Sequence, residues 1–271
     1  MTPMAITTEN PYEHDYTNLR DRVVLITGAS RGIGRAAAAA FAQHGARLVL
    51  MARSSSVDSL VWGTRSLDTI AAISGDVSNP ADVERAVNTA IERFGRLDVL
   101  VNAAAVLGPA GEIWTTDPEA WFETIRVNLF GTYGTVRAVL PHMIRQNRGK
   151  IVNFAGGGAA YGYPRFTAYA ASKVAVVRVT ETVAQECAGY NIQVNVIAPG
   201  AIETDMLKAV RAAGGEVRSV GTMDQAVALV LFLASDRSDH ITGRFIHAKD
   251  SYREFLPGLA PDSYTLRRVQ P

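Results

Sequence analysis

The chain has 271 residues, of which 48% are hydrophobic and 20% charged, and its formal net charge of +1 gives no electrostatic argument for a nucleic-acid or membrane partner. No apolar run approaches the roughly 20 residues that span a bilayer, and the single cysteine, Cys187, cannot form an internal disulfide, so we expect a cytoplasmic protein. The histidines show no metal-ligand spacing, so we expect no metal site.

Residues 1–18 are polar and predict a loosely held extension that lacks the basic-then-apolar order of a signal peptide.

The first predicted strands and helix form one recognisable unit. The apolar run Arg22–Thr27 predicts a buried parallel strand. A glycine turn, Gly28–Gly34, leads into a predicted helix over Arg35–His44 and a second strand over Arg47–Ala52. This strand–turn–helix–strand unit is typical of a site that binds a dinucleotide pyrophosphate at the helix N-terminus.

Strands and helices alternate through the rest of the chain, beginning with a weak helix predicted over Ser54–Asp68. The further predicted strands are Thr69–Ser74, Leu97–Ala103, Lys150–Ala155, Ile192–Ala198 and Phe245–Ala248. The further predicted helices are Asn79–Phe94, Pro118–Asn147, Phe166–Ala188 and Thr222–Ala234. The alternation predicts a single doubly wound α/β domain over residues 19–250, with a mostly parallel sheet of about seven strands and helices on both faces. Residues 251–271 form a tail with apolar residues among polar ones, which we expect to pack on the domain or on a neighbouring subunit.

Two side chains with complementary acid–base chemistry lie on one predicted helix. Tyr169 and Lys173 are four residues apart, so they project from the same helical face. A phenol has an unperturbed pKa of about 10, and a neighbouring ammonium favours its ionised form. Beside a bound nicotinamide, this pair could exchange a proton with a substrate oxygen. A tyrosine and a lysine at this spacing alone usually form a surface pair. Beside a hydride carrier, the pair indicates an enzyme that interconverts alcohols and carbonyls.

These patterns together resemble the short-chain dehydrogenase/reductase family over about residues 20–250. The family's T-G-x-x-x-G-x-G turn begins at Thr27, its acidic residue after the third strand matches Asp76, and its P-G-x-x-x-T stretch begins at Pro199. The resemblance implies a Rossmann fold, hydride transfer at nicotinamide C4 and a homodimer or homotetramer. The residues that we expect to bind the cofactor are Thr27, Gly28, Ser30, Arg31, Gly32, Ile33, Gly34, Arg53, Ser54, Asp76, Val77, Asn102, Tyr169, Lys173, Pro199, Gly200, Ile202 and Thr204.

The resemblance also implies roles in catalysis. The family's Y-x-x-x-K pair matches Tyr169 and Lys173, and the asparagine of its long helix matches Asn128. Tyr169 would exchange the proton, while Lys173 would lower the pKa of the phenol and hold the nicotinamide ribose. Asn128 would support a water that relays protons from the lysine to solvent.

One catalytic position departs from the family. The family's serine after the fifth strand falls at Gly156, and residues 155–158 carry no hydroxyl. Loss of a donor at a developing oxyanion can cost a few kcal/mol of transition-state stabilisation. We prefer the hydroxyl of Tyr161 as a substitute, and we expect Tyr163 and Thr167 to make packing or turn contacts. An ordered water or a hydroxyl of the substrate are alternatives.

The end of the second strand indicates which nicotinamide cofactor is bound. An acidic residue there would bind the ribose 2′-hydroxyl of NAD, but this chain has Ala52 followed by Arg53 and Ser54. Arg31 adds a second cation in the glycine turn. Because arginine pairs well with phosphate, the sequence predicts NADP(H), with NAD(H) as the alternative.

The leading hypothesis is an NADP(H)-dependent oxidoreductase that interconverts a carbonyl and a secondary alcohol. The segment between Thr204 and Thr222, where the family covers its substrate, carries Lys208, Arg211 and Arg218. These charges indicate either a polar substrate such as a sugar or cyclitol, or a lid whose charges are simply solvated. One alternative is a redox-assisted isomerase or epimerase with no net cofactor turnover. Another is a catalytically weak nucleotide-binding protein.

Overall fold

The computed structural model describes residues 17–53, 68–218 and 220–267. Most of the N-terminal extension, Ser54 and nearly all of the helix expected over Ser54–Asp68 therefore lie outside the described residues.

The described part of the chain contains one parallel sheet of seven strands. The strands are β1 (Val23–Thr27), β2 (Arg47–Ala52), β3 (Ile70–Ser74), β4 (Val99–Asn102), β5 (Gly149–Phe154), β6 (Ile192–Ala198) and β7 (Phe245–His247). Their order is β3-β2-β1-β4-β5-β6-β7, and every neighbouring pair is parallel. The chain reverses its direction of winding between β1 and β4, and ligands of such sheets bind at this switch point. The predicted doubly wound fold is confirmed.

Helices cover both faces of this sheet. They are α1 (Gly32–Gln43), α2 (Pro80–Phe94), α3 (Pro118–Ile125), α4 (Gly131–Arg145), α5 (Thr167–Glu186), α6 (Asp205–Ala212) and α7 (Met223–Ala234). Val24 and Ile26 of β1 pack in a core with α1 and α7, whereas Val23 and Leu25 pack in a core with α2, α4 and α5. Successive strand residues point to opposite faces, so the continuous apolar runs follow directly from burial on both sides.

Two helices differ from their predictions. The long helix predicted over Pro118–Asn147 is present, but a π-helical turn over Arg126–Phe130, which contains Asn128, joins α3 to α4. Helix α6 was not predicted, and it begins where the Thr204 hydroxyl accepts a hydrogen bond from the backbone N–H of Leu207. Among residues 17–53, 68–218 and 220–267, no helix is both long and apolar enough to cross a membrane.

Candidate active site

A cleft of about 1420 Å³ opens at the carboxyl ends of the strands. Its walls come from the glycine turn after β1, the ends of β2 and β3, the loop after β5, the first turns of α5 and the segment around α6. The fold thus places the predicted cofactor turn and the predicted acid–base pair along one continuous cavity. That placement follows from the parallel topology, because every strand delivers its following loop to the same edge.

The glycine turn has the geometry of an anion-binding site. Gly28 adopts φ +66°, and a Cβ there would lie 2.7 Å from Cα of Ala104, so only glycine is accommodated. At Gly32, with φ +55°, a Cβ would meet only the Thr204 methyl, at 3.8 Å. Helix α1 begins at Gly32, and no side chain caps its N-terminus at Arg31. Backbone N–H groups that no side chain caps, beside a glycine with open space above it, fit the pyrophosphate of a dinucleotide.

The far end of the cleft holds a loose ion pair. Nη1 of Arg53 lies 3.9 Å from Oδ2 of Asp76, and the arginine side chain is 56% exposed. The other carboxylate oxygen of Asp76 accepts hydrogen bonds from the backbone N–H and the hydroxyl of Ser78, at 2.8 and 2.7 Å. Asp76 is therefore held in place by its own turn. Most of the Arg53 guanidinium faces the cleft or solvent, as does the exposed Arg31.

Two of the expected cofactor residues have buried side chains that serve the protein itself. The Thr27 hydroxyl accepts a hydrogen bond from the backbone N–H of Ala104 at 3.3 Å. Asn102 donates to Oδ1 of Asn153 at 2.9 Å and accepts from the Thr135 hydroxyl at 2.8 Å. Neither side chain forms part of the cleft wall, and both instead fix the backbone that forms its floor. The remaining described cofactor candidates line the cleft: Gly28, Ser30, Arg31, Gly32, Ile33, Gly34, Arg53, Asp76, Val77, Tyr169, Lys173, Pro199, Gly200, Ile202 and Thr204.

Tyr169 and Lys173 project into the cleft from the start of α5. Both side chains are buried, and the Lys173 ammonium donates a hydrogen bond to the carbonyl oxygen of Phe154 at 3.0 Å. Its nitrogen lies 5.6 Å from the centre of the Tyr169 ring. Burial lowers the pKa of Lys173 to about 8.

The sequence predicts a lowered pKa for Tyr169 because of Lys173, but the net pKa of Tyr169 in this structure is raised. Burial, and to a smaller extent the neighbouring Tyr163, raise the pKa of the Tyr169 phenol above its ordinary value. Desolvation disfavours the charged form of both groups, so it acts in opposite directions on a phenol and an ammonium. At neutral pH the site therefore holds a neutral phenol beside a protonated lysine.

Asn128 is buried in the π-helical turn, and its side chain is largely committed to the protein. Oδ1 accepts from the backbone N–H of Val106, and Nδ2 donates to the carbonyl of Val106 and to the Ser172 hydroxyl, at 2.9, 2.9 and 3.0 Å. Both amide hydrogens are thus used. Asn128 joins the loop after β4 to the helix that carries Tyr169 and Lys173.

Gly156 lies directly against the phenol of Tyr169. A Cβ added at Gly156 would collide with the phenol oxygen and would lie 3.0 Å from Cε1 and Cζ of the same ring. With Tyr169 in this position, the site accommodates no side chain at residue 156.

The three nearby hydroxyls have different partners. Tyr163 donates to the carbonyl of Glu216 at 3.2 Å, and its ring stacks on Phe166 with centroids 4.8 Å apart. Thr167 accepts from the indole N–H of Trp121 at 3.1 Å. Both side chains make the packing contacts that the sequence predicts. Tyr161 lines the cleft at 39% exposure with no hydrogen-bond partner for its hydroxyl among the described residues, and the guanidinium of Arg218 lies 4.2 Å from its ring centre.

The apolar wall beside Tyr169 was not predicted from the sequence. Leu107, Met206 and Val210 pack with Phe166 and Tyr169 and border the cleft. The spacing of Met206 and Val210 on α6 was the available signal, but charged neighbours in the same segment obscured it. Leu107 gave no signal, because it lies in an irregular loop. Within the described ranges, no group of three or more His, Cys, Asp or Glu side chains could hold a metal ion.

Comparison with known proteins identifies the family of this chain. The model of the short chain dehydrogenase family matches residues 22–214. Over 237 residues the chain is 37% identical to 3-oxoacyl-(acyl-carrier-protein) reductase FabG of Thermotoga maritima, covering 84% of this chain and 96% of the relative. It is 34% identical over 247 residues to 2-(R)-hydroxypropyl-CoM dehydrogenase of Xanthobacter autotrophicus, covering 85% and 98% of the two chains.

Solved structures of a reductase and a dehydrogenase also resemble this chain. Levodione reductase superposes with a TM-score of 0.78 at 33% identity, covering 84% of this chain and 96% of that structure. Aldohexose dehydrogenase of Thermoplasma acidophilum superposes with a TM-score of 0.75 at 29% identity, covering 86% and 94%. The chain belongs to the short-chain dehydrogenase/reductase family, whose members bind NAD(P), and it is an oxidoreductase of that kind.

Proposed function

We propose that the protein interconverts a carbonyl and a secondary alcohol with NADP(H), and that Tyr169 exchanges the proton with the substrate oxygen. One observation supports this most strongly. The buried Tyr169 and Lys173 form a wall of the same cleft as a glycine turn that fits a dinucleotide. The nicotinamide, when bound, donates or accepts the hydride. What the chain itself contributes is a positioned acid, a fixed positive charge and a cleft that holds both beside the glycine turn.

In the direction of reduction, Tyr169 begins as a neutral phenol, because burial raises its pKa. It can therefore donate its proton to a carbonyl oxygen as negative charge develops there. Lys173 is protonated below a pH of about 8, and its contact with Phe154 uses only one of its three hydrogens. The other two are free to hold the nicotinamide ribose, and the charge stabilises the phenolate that remains after proton transfer.

Asn128 has a positioning role in this proposal. Because its two amide hydrogens bind Val106 and Ser172, Asn128 fixes the position of the loop after β4 relative to α5. A water that relays protons from Lys173 would donate a hydrogen bond to one of two acceptors of Asn128. These are the second lone pair of Oδ1 and the main-chain carbonyl oxygen. That carbonyl already accepts a hydrogen bond from the Thr132 hydroxyl at 2.8 Å.

The preference for NADP(H) rests on Arg31 and Arg53, with Ser54 as a further candidate outside the described residues. Both arginines are exposed and line the cleft near the end of β2, where a 2′-phosphate would lie. Arginine offers paired donors and a permanent charge to such a group. Asp76, which the resemblance assigns to the adenine, is held by Ser78 and does not neutralise Arg53 fully at 3.9 Å.

The substrate proposed is a small polar ring such as a sugar or cyclitol. Leu107, Met206 and Val210 offer an apolar surface to the C–H face of such a ring, while the exposed Tyr161, Glu216 and Arg218 offer polar groups at the rim. We propose that the Tyr161 hydroxyl, or a hydroxyl of the substrate, takes the place of the serine replaced by Gly156. The similarity to an aldohexose dehydrogenase supports this class, whereas the similarity to a 3-oxoacyl reductase favours an acyl chain.

We also propose a homodimer or homotetramer. Phe122, Phe130 and Tyr133 lie along α3, the π-helical turn and α4, and each is more than half exposed. A group of large exposed aromatic side chains on one continuous run of helix is typical of a surface that a second copy of the chain covers.

The proposed function can be tested by following reduced-nicotinamide absorbance with NADPH and NADH across ketones, aldoses, cyclitols and a 3-oxoacyl thioester. Turnover with NADPH on a ring substrate supports the proposal, and turnover on the thioester alone corrects the substrate class. Tight NADPH binding with product formed but no net absorbance change would indicate an isomerase or epimerase. Failure to bind either nucleotide would contradict the assignment of the glycine turn.

A further inference from the structure

The C-terminal segment from Leu259 to Arg267 is anchored to its own domain by one arginine. The Arg244 guanidinium, at the start of β7, donates to the carbonyls of Ala260, Pro261 and Ser263 at 3.3, 2.7 and 2.8 Å. Charge-assisted hydrogen bonds to several carbonyls of one loop fix its backbone more firmly than a side-chain contact would. This end of the segment is therefore held against the edge of the sheet.

The other end of the segment is held by α5, the helix that carries Tyr169 and Lys173. Both backbone groups of Leu266 are bound there: its N–H donates to the buried Glu181 carboxylate, and its carbonyl accepts from Arg178, each at 2.7 Å. Arg267 also pairs with Glu181, at 3.5 Å. Arg178 and Glu181, which clamp the segment, lie only about one and a half to two helical turns after Lys173 on the same helix.

The segment and Asp250 together satisfy the outward-facing donors at the edge of the sheet. In the parallel pair of β6 and β7, alternate residues of β7 turn their N–H groups away from β6. The N–H of Phe245 donates to the carbonyl of Tyr264 at 2.6 Å, and the N–H of His247 donates to the Asp250 carboxylate at 2.7 Å. Both outward donors are satisfied within the same chain, so this edge has no free donor for another strand.

The Leu266 side chain packs against the buried cluster next to the active site. That cluster consists of Ala155, Ala159, Val176, Val177 and Val196. Two of its members, Ala155 and Ala159, flank the glycine loop of residues 156–158, and the N–H of Ala159 donates to the carbonyl of Gly156 at 3.1 Å. A run of three glycines has no side chains of its own to fix its position, so its flanking residues must do so.

We propose that residues 259–267 are an intramolecular brace, with Leu266 as a positioning residue that holds the glycine loop against Tyr169. The proposal rests on the proposed function only where it predicts turnover, because the position of the loop can be measured without it. The backbone of Gly156 lies directly against the Tyr169 phenol. A small movement of this loop would therefore change the position of the phenol relative to the substrate.

The test compares Leu266→Ala and Arg244→Lys with Leu256→Ala, the same truncation at a residue of the tail that is largely exposed. Amide hydrogen exchange is measured for peptides spanning residues 155–160, together with kcat and the Kd for NADPH. Both brace variants should raise exchange in these peptides about tenfold and lower kcat several-fold, with Kd changed less than about twofold. Leu256→Ala should match the wild type in all three.

Three results would overturn the proposal. Exchange at residues 155–160 could remain at the wild-type rate in both brace variants, it could rise equally across the whole protein, or Leu256→Ala could behave like Leu266→Ala. If exchange rises locally but neither the wild type nor any variant turns over a substrate, the brace stands and the proposed function fails.

Discussion

The Tyr169 phenol lies where a side chain on Gly156 would have to be, since a Cβ on that glycine would collide with the phenol oxygen. The absence of a serine at this position is thus tied to the placement of the acid. Introducing the serine at residue 156 should not raise kcat, because the added Cβ would displace the Tyr169 phenol. Gly156→Ser and Gly156→Ala should both lower kcat about 100-fold, the loss that a 1 Å misplacement of a reacting group can cause.

The matched control for this prediction is Gly162→Ala in the same loop region. A Cβ there would meet no atom within 4 Å, and the φ of Gly162 is not positive. Gly162→Ala should therefore retain wild-type kcat, and NADPH affinity should change little in all three variants. A Gly156→Ser enzyme faster than the wild type would show that the missing hydroxyl limits turnover and that Tyr169 moves aside freely.

Arg53 should discriminate between the two nicotinamide cofactors. Arg53→Asp removes a cation proposed to bind the 2′-phosphate and places a carboxylate near Asp76. Loss of a charged hydrogen bond predicts NADPH binding weakened about 10- to 100-fold, with NADH binding changed less than about threefold. Fluorescence titration with both nucleotides measures this difference.

Two further variants make the Arg53 result specific. Arg53→Ala removes the cation without adding repulsion and should show the same preference more weakly. Arg137→Asp, at an exposed position on α4 away from the cleft, should leave both affinities unchanged. Equal weakening of NADPH and NADH by Arg53→Ala would rule out a 2′-phosphate contact.

The lowered pKa of Lys173 predicts an alkaline limb in the pH profile. Its ammonium is present below a pH of about 8 and is lost above it. Because that charge is proposed to hold the cofactor ribose and stabilise the phenolate, kcat/KM for NADPH should fall about tenfold per pH unit above this value. The arginine of Lys173→Arg keeps its charge throughout this range. Its kcat/KM for NADPH should therefore stay constant with pH, at a value below that of the wild type.

A wild-type profile that remains level to about pH 9.5 would mean that the lysine charge is not required, or that its pKa is not lowered in the working enzyme. Circular dichroism at each pH provides the control for loss of structure.

Much of the fold could be predicted because apolar content and burial coincide in this sheet. The bounds of β2 and β6 match those predicted, since a strand covered on both faces is a continuous apolar run. Helix α6 was missed because Asp205, Lys208 and Arg211 give its segment the composition of an exposed loop. What marks its start is the Thr204 cap, a contact that depends on the backbone being folded.

The site was predictable in its residue types but not in its electrostatics. The spacing of Tyr169 and Lys173 shows that they share a helical face, yet it says nothing of how deeply they are buried. Burial decides the direction of both pKa shifts, and it raised that of Tyr169 where the charge of Lys173 alone predicts the reverse. The contact of Gly156 with the phenol likewise depends on the packing of two distant segments.

Asn128 should contribute to stability as well as to catalysis. Asn128→Ala leaves the N–H and carbonyl of the half-buried Val106 without their partner, and the buried Ser172 loses a donor. The free energy of unfolding should fall by about 2–4 kcal/mol, which urea denaturation measures. Thr132→Val, an isosteric change one turn along, removes only a hydroxyl bonded to the Asn128 carbonyl and should cost less than about 1 kcal/mol. Similar unfolding midpoints for both variants would contradict the bridging role.

The central claim is that Tyr169 transfers the proton in an NADP(H)-dependent reaction, and Tyr169→Phe tests it most directly. This change removes one oxygen atom and keeps the ring that packs with Phe166 and Val210. NADPH affinity and carbonyl turnover are measured side by side in the wild type and the variant. The account predicts a Kd within about twofold and a kcat lowered at least about 1,000-fold. A Tyr169→Phe enzyme that binds NADPH and reduces its substrate at the wild-type rate would contradict it.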